Sequence, residues 1–504
     1  MNAPTETEIK LVAAPAMLDA LTRHPLLAGE EIASRLVNTW FDTADGALQR
    51  AGATLRVRDT GRGLEQTLKL ASRNGPARIE WTVPSPGPCP DDVAFPPKAR
   101  RRLARLTGNN ALSAVATALV ERCERTVEWQ GATIKAAFDR GEIIAGDARE
   151  PISELELEIA SGPVHAALAL AGELPLGPEL MWSGRTKAGR AYALAHGGED
   201  RQSFAQARLA PSMPAAAAFR AIAWAILGQL LSTYSRVIDD GSPDGVHQTR
   251  VALRRLRSAI RLFAPVLPAD RAKVLRAAFG TAARGLGPAR DLYVLADAIS
   301  SRIDPRDGES EAVLSHLLEN LATATADAQE ILASTPFQRL LCEFAMWVEH
   351  PEAAPAEDTG EALHSFAGRA FSRLRRRLVR HGQKLGDMTE TVRHEVRKDA
   401  KQLRYAIGFL DGAWPKAHRR EQRSRFTRQL TRLQDSLGAL NDLAVASASR
   451  DTMFATCDPI TAARLGARLE SLLSSQSESQ ARLLRRADKA LDRIATSPPW
   501  WKQG

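Results

Sequence analysis

The sequence is poor in cysteine, and it has no long uninterrupted hydrophobic run. Its four cysteines among 504 residues are scattered and form no CxxC pair, which argues against a disulfide framework and against a zinc site. The first residues are polar and acidic, so no secretory signal is predicted. No run reaches the roughly eighteen apolar residues that a membrane-spanning helix needs. These absences predict a cytoplasmic protein with reduced thiols and no membrane partner.

Basic residues are concentrated in the C-terminal part of the chain. The whole sequence has 68 Lys+Arg and 59 Asp+Glu, a net charge of +9. Residues 1–200 have a net charge of −3, and the remainder has +12. A chain of this length is expected to fold into two or three domains. The charge distribution predicts an anionic partner for the C-terminal part alone.

The chain changes from strand-like to helical patterns near residue 200. Short alternating runs typical of strands lie at 6–11, 54–58, 66–70, 78–83, 127–136, 142–145 and 154–159, and helical patterns lie at 13–23, 97–107, 110–119 and 163–173. From residue 215 onward the pattern is almost entirely helical. We therefore predict an α+β domain over 1–200 and an all-α domain over 213–500, with internal repeats at about 213–345 and 360–500.

Charged side chains recur at every second position of several predicted strands. Alternate residues of a strand share a face. The polar faces comprise Glu6, Glu8 and Lys10; Arg56 and Arg58; Thr67 and Lys69; Arg78, Glu80 and Thr82; and Glu154, Glu156 and Glu158. Three carboxylates in register repel one another unless cations lie between them. Oxygen-only ligands favour hard divalent cations such as Mg²⁺ or Mn²⁺.

Two arrangements explain these faces. For any single strand, a solvated outer face of a sheet is the simpler explanation. Five such strands instead favour a closed antiparallel barrel with a polar lumen. There, carboxylates could hold metal ions, while arginines and lysines hold phosphate oxygens. Composition and spacing alone leave both arrangements open.

An ordered set of short motifs resembles the CYTH family, the triphosphate tunnel metalloenzymes. The set covers about residues 5–195. In chain order the motifs are Glu6-Thr7-Glu8-Ile9-Lys10, Trp40-Phe41-Asp42-Thr43, Arg50 to Arg58, Gln66-Thr67-Leu68-Lys69, Phe138 to Ile143, Ile152 to Glu158, and Thr186-Lys187-Ala188. The resemblance implies an eight-stranded antiparallel tunnel that hydrolyses or cyclises triphosphate compounds with a divalent metal.

The same resemblance implies a role for each matching residue. Metal ligands or their close supports would be Glu6, Glu8, Asp139, Glu156 and Glu158. Phosphate-binding residues would be Lys10, Arg56, Arg58, Lys69, Arg125 and Lys187, with Arg122 as the alternative to Arg125. Water would attack a terminal phosphorus with assistance from the metal. Two positions depart from the family pattern and bear on rate and substrate choice: Thr82, where a second acid is common, and Gly189-Arg190, where the usual order is reversed.

A basic signature occurs twice in the helical part. It comprises His247, Arg250, Arg254 and Arg257 in the first copy, and His394, Arg397, Lys401 and Arg404 at the same spacing in the second. On an α-helix these positions span an arc of about 80°. The stretch Val246 to Phe263 has five arginines and no acid. Each copy is followed by a similar phrase, which begins at Leu286-Gly287 and at Leu437-Gly438. We call the two sets the first and second basic stripes, and they predict a polyanionic partner.

The duplicated helices resemble the CHAD family over about residues 213–495. The resemblance implies two related helical bundles whose basic faces, together with Arg290, line a groove that binds inorganic polyphosphate. Nucleic acid is the alternative polyanion. The sequence offers few aromatic side chains near the stripes on which bases would stack, and Tyr405 is the only ring close to the second stripe. The dense run Arg373 to Arg380 fits a solvated helix face equally well.

Together, these features predict a triphosphatase that depends on Mg²⁺ or Mn²⁺, acts on inorganic triphosphate, and binds polyphosphate through its helical domain. The alternatives are thiamine triphosphatase or adenylate cyclase activity, or a tunnel that binds phosphates without catalysis. Such polyphosphate binding would either localise the enzyme on polyphosphate granules in the cytoplasm or supply shorter phosphates to the tunnel.

Overall fold

The computed structural model describes residues 5–70, 78–197, 207–300, 307–349, 361–383, 385, 388–414, 419–453, 459–474 and 480–502. The chain divides into two compact units. The first comprises Met1–Ala207, Arg220–Asp239 and Glu330–Ala353, and the second comprises Arg208–Phe219, Asp240–Gln329 and Ala354–Gly504. The predicted domain limits of 1–200 and 213–500 stay a prediction.

The first unit is built on one antiparallel sheet. Its strands are β1 Thr5–Glu6, β2 Glu8–Ala13, β3 Glu31–Thr43, β4 Ala53–Asp59, β5 Leu64–Leu70, β6 Arg78–Pro84, β7 Leu112–Trp129, β8 Ala132–Ala145, β9 Ala148–Ser161 and β10 Leu180–Trp182. Their order in the sheet is β1-β6-β5-β4-β3-β7-β8-β9-β2-β10. The helices of this region are α1 Pro15–Leu21, α2 Ala47–Arg50, α3 Pro97–Thr107, α4 Val164–Glu173 and α5 Lys187–Ala195.

The first strand closes the sheet into a barrel. β1 pairs with β6 through Glu6 and Arg78, whereas β2 pairs with β9 through Glu8 and Glu158. Only Thr7 separates β1 from β2, so this one stretch of chain joins both ends of the sheet order. If β1 and β2 are counted as one strand, eight strands close the barrel and the short β10 is added beside β2. The predicted eight-stranded antiparallel barrel is confirmed.

Apolar residues on the outer face of the barrel are covered by helices. On β9, Leu155 and Leu157 are fully buried, and α1 and α4 pack against this strand. A second apolar cluster joins strand residues such as Leu55 and Trp81 with Leu103 of α3. Because the outer face carries this core, the charged residues at alternate positions face the lumen.

Two of the secondary-structure predictions are wrong. Residues 110–119 were expected to be helical, but Leu112–Trp129 is one long strand. The alanines of this segment suit a helix, yet Ala116 and Ala118 are buried in the barrel, so packing overrides local propensity. Residues 127–136 are two strands rather than one, because Gln130 and Gly131 have φ values of 47° and 75° and form a tight turn.

Gly141 is required where β7 and β8 approach closely. Its φ is +152°, and a Cβ atom there would lie 1.8 Å from the backbone oxygen of Leu119. No other residue type fits without moving one of the strands. This glycine lies two residues after Asp139, so the close approach fixes the backbone that carries a candidate site residue.

Helices from later in the chain complete the first unit. Helices α6 Ala215–Asp240 and α11 Thr335–Glu349 contribute to it. The Gln338 side chain accepts a hydrogen bond from the backbone N–H of Trp182 at 2.9 Å and donates one to the Leu332 carbonyl at 2.7 Å. The Tyr234 hydroxyl donates to the Trp182 carbonyl. These contacts satisfy the backbone of β10 on this side.

The remaining helices form the second unit, and their succession repeats once. They are α7 Pro243–Phe263, α8 Ala269–Gly285, α9 Gly287–Ser300, α10 Gly308–Ala333, α12 Leu363–His381, α13 Glu390–Phe409, α14 Arg420–Met453, α15 Pro459–Ser474 and α16 Gln480–Thr496. The first basic stripe lies on α7 and the second on α13. The pair of helices α8 and α9 follows α7 in the first repeat, and the single helix α14 follows α13 in the second. The predicted all-α duplicated architecture is confirmed.

Within the described residues, one helix is long and apolar enough to cross a membrane by length and composition. It is α6, and 72% of its most apolar window is buried inside the protein. Burial of this kind is the mark of a core helix. Arg220 and Gln229 interrupt its apolar sequence, in keeping with the absence of a continuous hydrophobic run.

Candidate active site

The barrel encloses a polar cavity of about 500 Å³. Eight of the side chains that line it are basic and six are acidic. The basic ones are Lys10, Arg56, Arg58, Lys69, Arg78, Arg122, Lys135 and Lys187, and the acidic ones are Glu8, Glu65, Glu80, Glu124, Glu156 and Glu158. The cavity thus has an excess of positive charge inside a closed wall. Such a space is suited to a small, highly charged anion.

A buried ionic cluster lies at one side of the cavity. Asp139, Glu154 and Glu156 bring carboxylate oxygens within 4.8 Å of one another. The Lys10 ammonium group donates to Glu154 at 2.8 Å and also to Glu156. Lys187 on α5 contacts all three carboxylates, at 2.5 Å from Asp139 and 3.0 Å from Glu156. The cluster is therefore held together by cations from two different elements.

Arg122 completes this cluster from β7. Its guanidinium donates to both oxygens of Asp139, at 2.7 and 2.6 Å, and to Glu156 at 2.6 Å. Burial alone would raise the pKa of Glu156, but Lys10, Lys187 and Arg122 hold it well below its usual range. Burial likewise opposes ionisation of Asp139, and Lys187 and Arg122 outweigh it and lower that pKa. Both carboxylates are therefore ionised at neutral pH.

A second pair of carboxylates faces the cavity directly. Glu8 and Glu158 are opposite one another in the β2–β9 register, and like charges in this position destabilise a sheet unless a cation lies between them. Burial raises the pKa of Glu158. Burial and Glu156 also act to raise the pKa of Glu8, but Lys10, Arg78 and Lys69 lower it overall. This pair, and the group of Asp139, Glu154 and Glu156 whose oxygens lie within 4.8 Å of one another, supply the oxygen ligands that hard divalent cations prefer.

Arginines form the opposite wall of the cavity. Arg56 and Arg58 lie on one face of β4, and Arg58 donates to the Asn38 side chain at 2.8 Å. Burial and then the nearby Arg56 and Arg122 lower the pKa of Arg58. Lys69 forms an ion pair with Glu80 at 2.9 Å. The repulsion among the arginines would be relieved by an anion bound between them.

In the second unit, the two basic stripes meet at Tyr405. Helices α7 and α13 pack against each other. Arg254 of the first stripe donates from Nε to the Tyr405 hydroxyl at 2.5 Å. The guanidinium carbons of Arg254 and Arg404 lie 5.7 and 6.0 Å from the centre of the same ring. One tyrosine thus contacts a cation from each stripe.

Corresponding arginines of the two stripes lie over corresponding glycines. A Cβ atom at Gly287 would be 3.2 Å from Arg250, and one at Gly438 would be 3.9 Å from Arg397. These glycines belong to the two Leu-Gly phrases. At Gly287 the absence of a side chain leaves room for the guanidinium against the helix backbone. At Gly438 a Cβ atom would be at ordinary van der Waals distance from Arg397.

Other members of the first stripe are grouped with Arg290. Burial, then Arg290 and Arg254, lower the pKa of His247, so these groups lie close together. Arg290 is 5.6 Å from the ring of Tyr293. On α13, His394 and Lys401 share the stripe face with Arg397. All nine predicted polyanion-binding residues lie on the helices α7, α9 and α13.

Comparisons with known proteins identify both parts of the chain. Residues 4–192 match the model of the CYTH domain, and residues 221–451 match that of the CHAD domain. The chain carries a CYTH domain followed by a CHAD domain. The match to the CYTH model begins and ends within a few residues of the predicted resemblance.

Two relatives illustrate the likeness. A protein named inorganic triphosphatase from Haemophilus influenzae is 30% identical over 203 residues, which cover 38% of this chain and 54% of that protein. The chain thus spans about half the length of this curated relative. A crystal structure of the CHAD domain from the plant Ricinus communis has a TM-score of 0.50 and 26% identity, and it covers 56% of this chain and 93% of that one.

Most of the predicted CYTH site residues lie together, but three are placed differently. Arg125 does not line the cavity. It donates to the carbonyls of Thr22 and Leu27 at 2.6 and 3.2 Å, because it lies an odd number of residues from Arg122 and so on the other face of β7. Asp139 is on the inner face of β8 with Lys135 and Ala137, but it is fully buried in contact with Arg122 and Lys187 and does not line the cavity. The side chain of Glu6 lies outside the described residues.

Several residues of the CYTH site were not predicted from the sequence. Lys135 was not singled out at all, and Arg122 was named only as an alternative. Arg78 and Glu154 were placed on polar strand faces, and Arg190 was noted as a departure from the family pattern, but none of the three was assigned a role. Arg190 donates to Glu150 at 2.7 Å and to Glu154 at 3.4 Å. The reversed order Gly189-Arg190 therefore still places a cation beside the ionic cluster. Strand alternation placed the Glu154 side chain on the inner face of β9. The sequence did not indicate that its carboxylate oxygens would lie within 4.8 Å of those of Asp139 and Glu156.

The basic run of α12 in the CHAD domain has two kinds of member. Arg375 donates to the carbonyls of Ala495 and Ser497 at 2.6 and 2.8 Å and so caps the end of α16. Arg377 contacts Asp399 and donates to Gln402 at 2.6 Å. The other three arginines, Arg373, Arg376 and Arg380, are exposed. Two of the five thus have structural roles, and three form the solvated face.

Proposed function

We propose that the CYTH domain hydrolyses inorganic triphosphate in a reaction that depends on Mg²⁺ or Mn²⁺. The observation that carries this proposal is the cavity inside the barrel, in which a wall of arginines and lysines faces the carboxylate pair Glu8 and Glu158. A volume of about 500 Å³ suits a short phosphate chain. The likeness to a protein named inorganic triphosphatase supports the same reaction class.

The residues of the cavity divide into two groups by charge. Glu8, Glu156 and Glu158 would hold the divalent cation, with Glu6 as a further candidate, and the bound metal would neutralise charge on phosphate oxygens. Arg56, Arg58 and Lys69 bind and orient the phosphates by charge-assisted hydrogen bonds. Lys10 and Lys187 hold the cluster of Asp139, Glu154 and Glu156 in place by ion pairs. Arg122 positions Asp139 and Glu156 and faces the cavity, where phosphate oxygens can reach it.

The proposal is tested by phosphate release from the full chain. With Mg²⁺ or Mn²⁺ present, we expect release from inorganic triphosphate to exceed that from ATP and from thiamine triphosphate, because the cavity has charges for phosphates and no described site for a base. Chelation by EDTA should stop the reaction. Preference for thiamine triphosphate or formation of cyclic AMP would identify the alternative enzymes. No metal-dependent release from any of the three would leave a tunnel that only binds phosphates.

We propose in addition that the CHAD domain binds inorganic polyphosphate through both basic stripes at once. The supporting observation is Tyr405, which contacts Arg254 and Arg404 and so holds the stripes side by side. A flexible chain of phosphates offers closely spaced charges that Arg, Lys and His side chains bind without reading bases. Binding of this kind would keep the protein on polyphosphate granules in the cytoplasm.

Loss of either stripe should weaken polyphosphate binding by far more than half. We expect Arg250→Ala/Arg254→Ala and Arg397→Ala/Lys401→Ala each to lower the affinity at least about tenfold, because the two stripes engage one chain multivalently. The affinity of the wild type should also fall steeply with salt concentration. The measurement is titration of labelled polyphosphate with the full-length protein.

Competition experiments define the ligand. Duplex and single-stranded DNA should displace polyphosphate poorly at equal charge. Equal competition by DNA would mean that the domain binds any polyanion. An effect confined to one of the two double variants would contradict a shared groove even if polyphosphate is the right ligand.

A further inference from the structure

The last arginine of the first stripe lies flat on the neighbouring helix α8. A Cβ atom at Gly280 would be 3.3 Å from both Cζ and Nε of Arg257 and 3.4 Å from its terminal nitrogen. Three atoms of one guanidinium at nearly equal distance mean that its plane rests over the glycine. Any larger residue at 280 would have to displace it. Arg257 therefore extends the stripe from α7 onto the surface of α8.

Two further arginines of α8 flank this contact. Arg276 and Arg284 lie four residues before and four residues after Gly280, and so on the same helix face. Both are exposed. With Arg257 between them they form a line that spans eight residues of helix, about 12 Å. We call Arg276, Arg257 and Arg284 the arginine row.

The charged neighbours that act on Arg257 are the two flanking arginines. Burial and then Arg276 and Arg284 lower the pKa of Arg257, with no carboxylate acting in the opposite direction. By contrast, Asp291 counteracts the lowering at Arg250. Nε of Arg257 is buried and has no hydrogen-bond partner in the described part of the chain. The mutual repulsion of these three arginines favours an anion at this surface.

The row occurs in only one of the two repeats. Alignment of the phrases at Leu286-Gly287 and Leu437-Gly438 matches Arg276, Gly280 and Arg284 with three other residues. These are Thr427, Thr431 and Asp435. The second copy therefore has no guanidinium at either flanking position and an acid at one of them. Duplication preserved the stripes on both helices, but the row belongs to the first repeat.

We propose that the arginine row is an additional phosphate-binding site, which takes the part of a polyphosphate chain that extends beyond the two stripes. This inference rests on the proposed binding of polyphosphate by the CHAD domain. The additional site lies in the first repeat only. A long polyphosphate chain extends from the stripes along α8, where the three arginines of the row bind its phosphates. It does not extend toward Asp435 on α14.

The test compares two lengths of inorganic polyphosphate on the full-length protein. One preparation is too short to reach past the stripes, and the other is long. Arg276→Gln/Arg284→Gln should lower the affinity for the long chain about tenfold, the effect of removing contacts from a multivalent site. Affinity for the short chain should stay at the wild-type value, since both stripes are intact.

A matched control separates this site from bulk charge. Arg485→Gln/Lys489→Gln removes two exposed positive charges from α16 and should leave both affinities unchanged. The inference is overturned by an equal loss in the control, by an equal loss for short and long chains, or by no loss in the α8 variant. If the wild type binds neither preparation, the proposed polyphosphate binding fails, and the arginine row fails with it.

Discussion

Replacement of Glu8 by glutamine should lower kcat/KM for triphosphate about a hundredfold, the order of effect expected when a contribution of about 3 kcal/mol to transition-state binding is lost. The change keeps the size of the side chain and removes its charge. Glu8 faces Glu158 across the β2–β9 pair, so its loss would leave the proposed divalent cation with one carboxylate fewer. The measurement is phosphate release as a function of metal concentration. Half-maximal activity should require more metal than in the wild type.

The control for this variant is Glu121→Gln. Glu121 is exposed and lies next to Arg122 on β7, on the opposite face from the cavity. The chemical change is identical, and activity and metal requirement should match the wild type. If Glu8→Gln retained the wild-type rate and metal dependence, Glu8 would have no role in holding the cation.

Replacement of Arg122 by methionine should destabilise the barrel by about 3–5 kcal/mol, the cost of leaving buried charges without their partner. Asp139 is fully buried and the side chain of Glu156 is only 12% exposed. Methionine fills most of the space but donates no hydrogen bond. We expect a lower urea midpoint for the full chain and faster hydrogen–deuterium exchange in β7, β8 and β9.

An exposed ion pair of the same barrel gives the comparison. Arg140 contacts Asp19, and their side chains are 44% and 50% exposed. Such pairs contribute about 0–1 kcal/mol, so Arg140→Met should barely change the midpoint or the exchange rates. Similar losses in both variants would show that burial of the Arg122 cluster has no special weight in the stability of the barrel.

The parity of strand residues made much of the site predictable. Because alternate side chains share a face, Glu8 and Lys10, or Arg56 and Arg58, could be assigned to one surface from the sequence alone. This alternation could not decide between Arg122 and Arg125, because β7 carries charged residues on both faces. Which face points into the barrel depends on the register of β7 with β8. Lone cations such as Lys135 gave no pattern to recognise.

Contacts between distant segments could not be predicted from the sequence, for a different reason. The stripes were recognisable on each helix, but their meeting at Tyr405 depends on how α7 and α13 pack. The same holds for Gly280, whose role is visible only once Arg257 rests on it. In the first unit, Gln338 and Tyr234 reach β10 from helices that the sequence assigned to the other domain.

The closure of the barrel by its first strand has a consequence for biosynthesis. Residues 8–13 emerge from the ribosome long before their partners on β9: Lys10 must wait for Glu154, 144 positions further along the chain. Until then the nascent sheet has two open edges, which invite mispairing with other chains. Pairing over such a separation is intrinsically slow. The lysine that anchors the ionic cluster is thus translated early and acquires its partners only when the last long strand arrives.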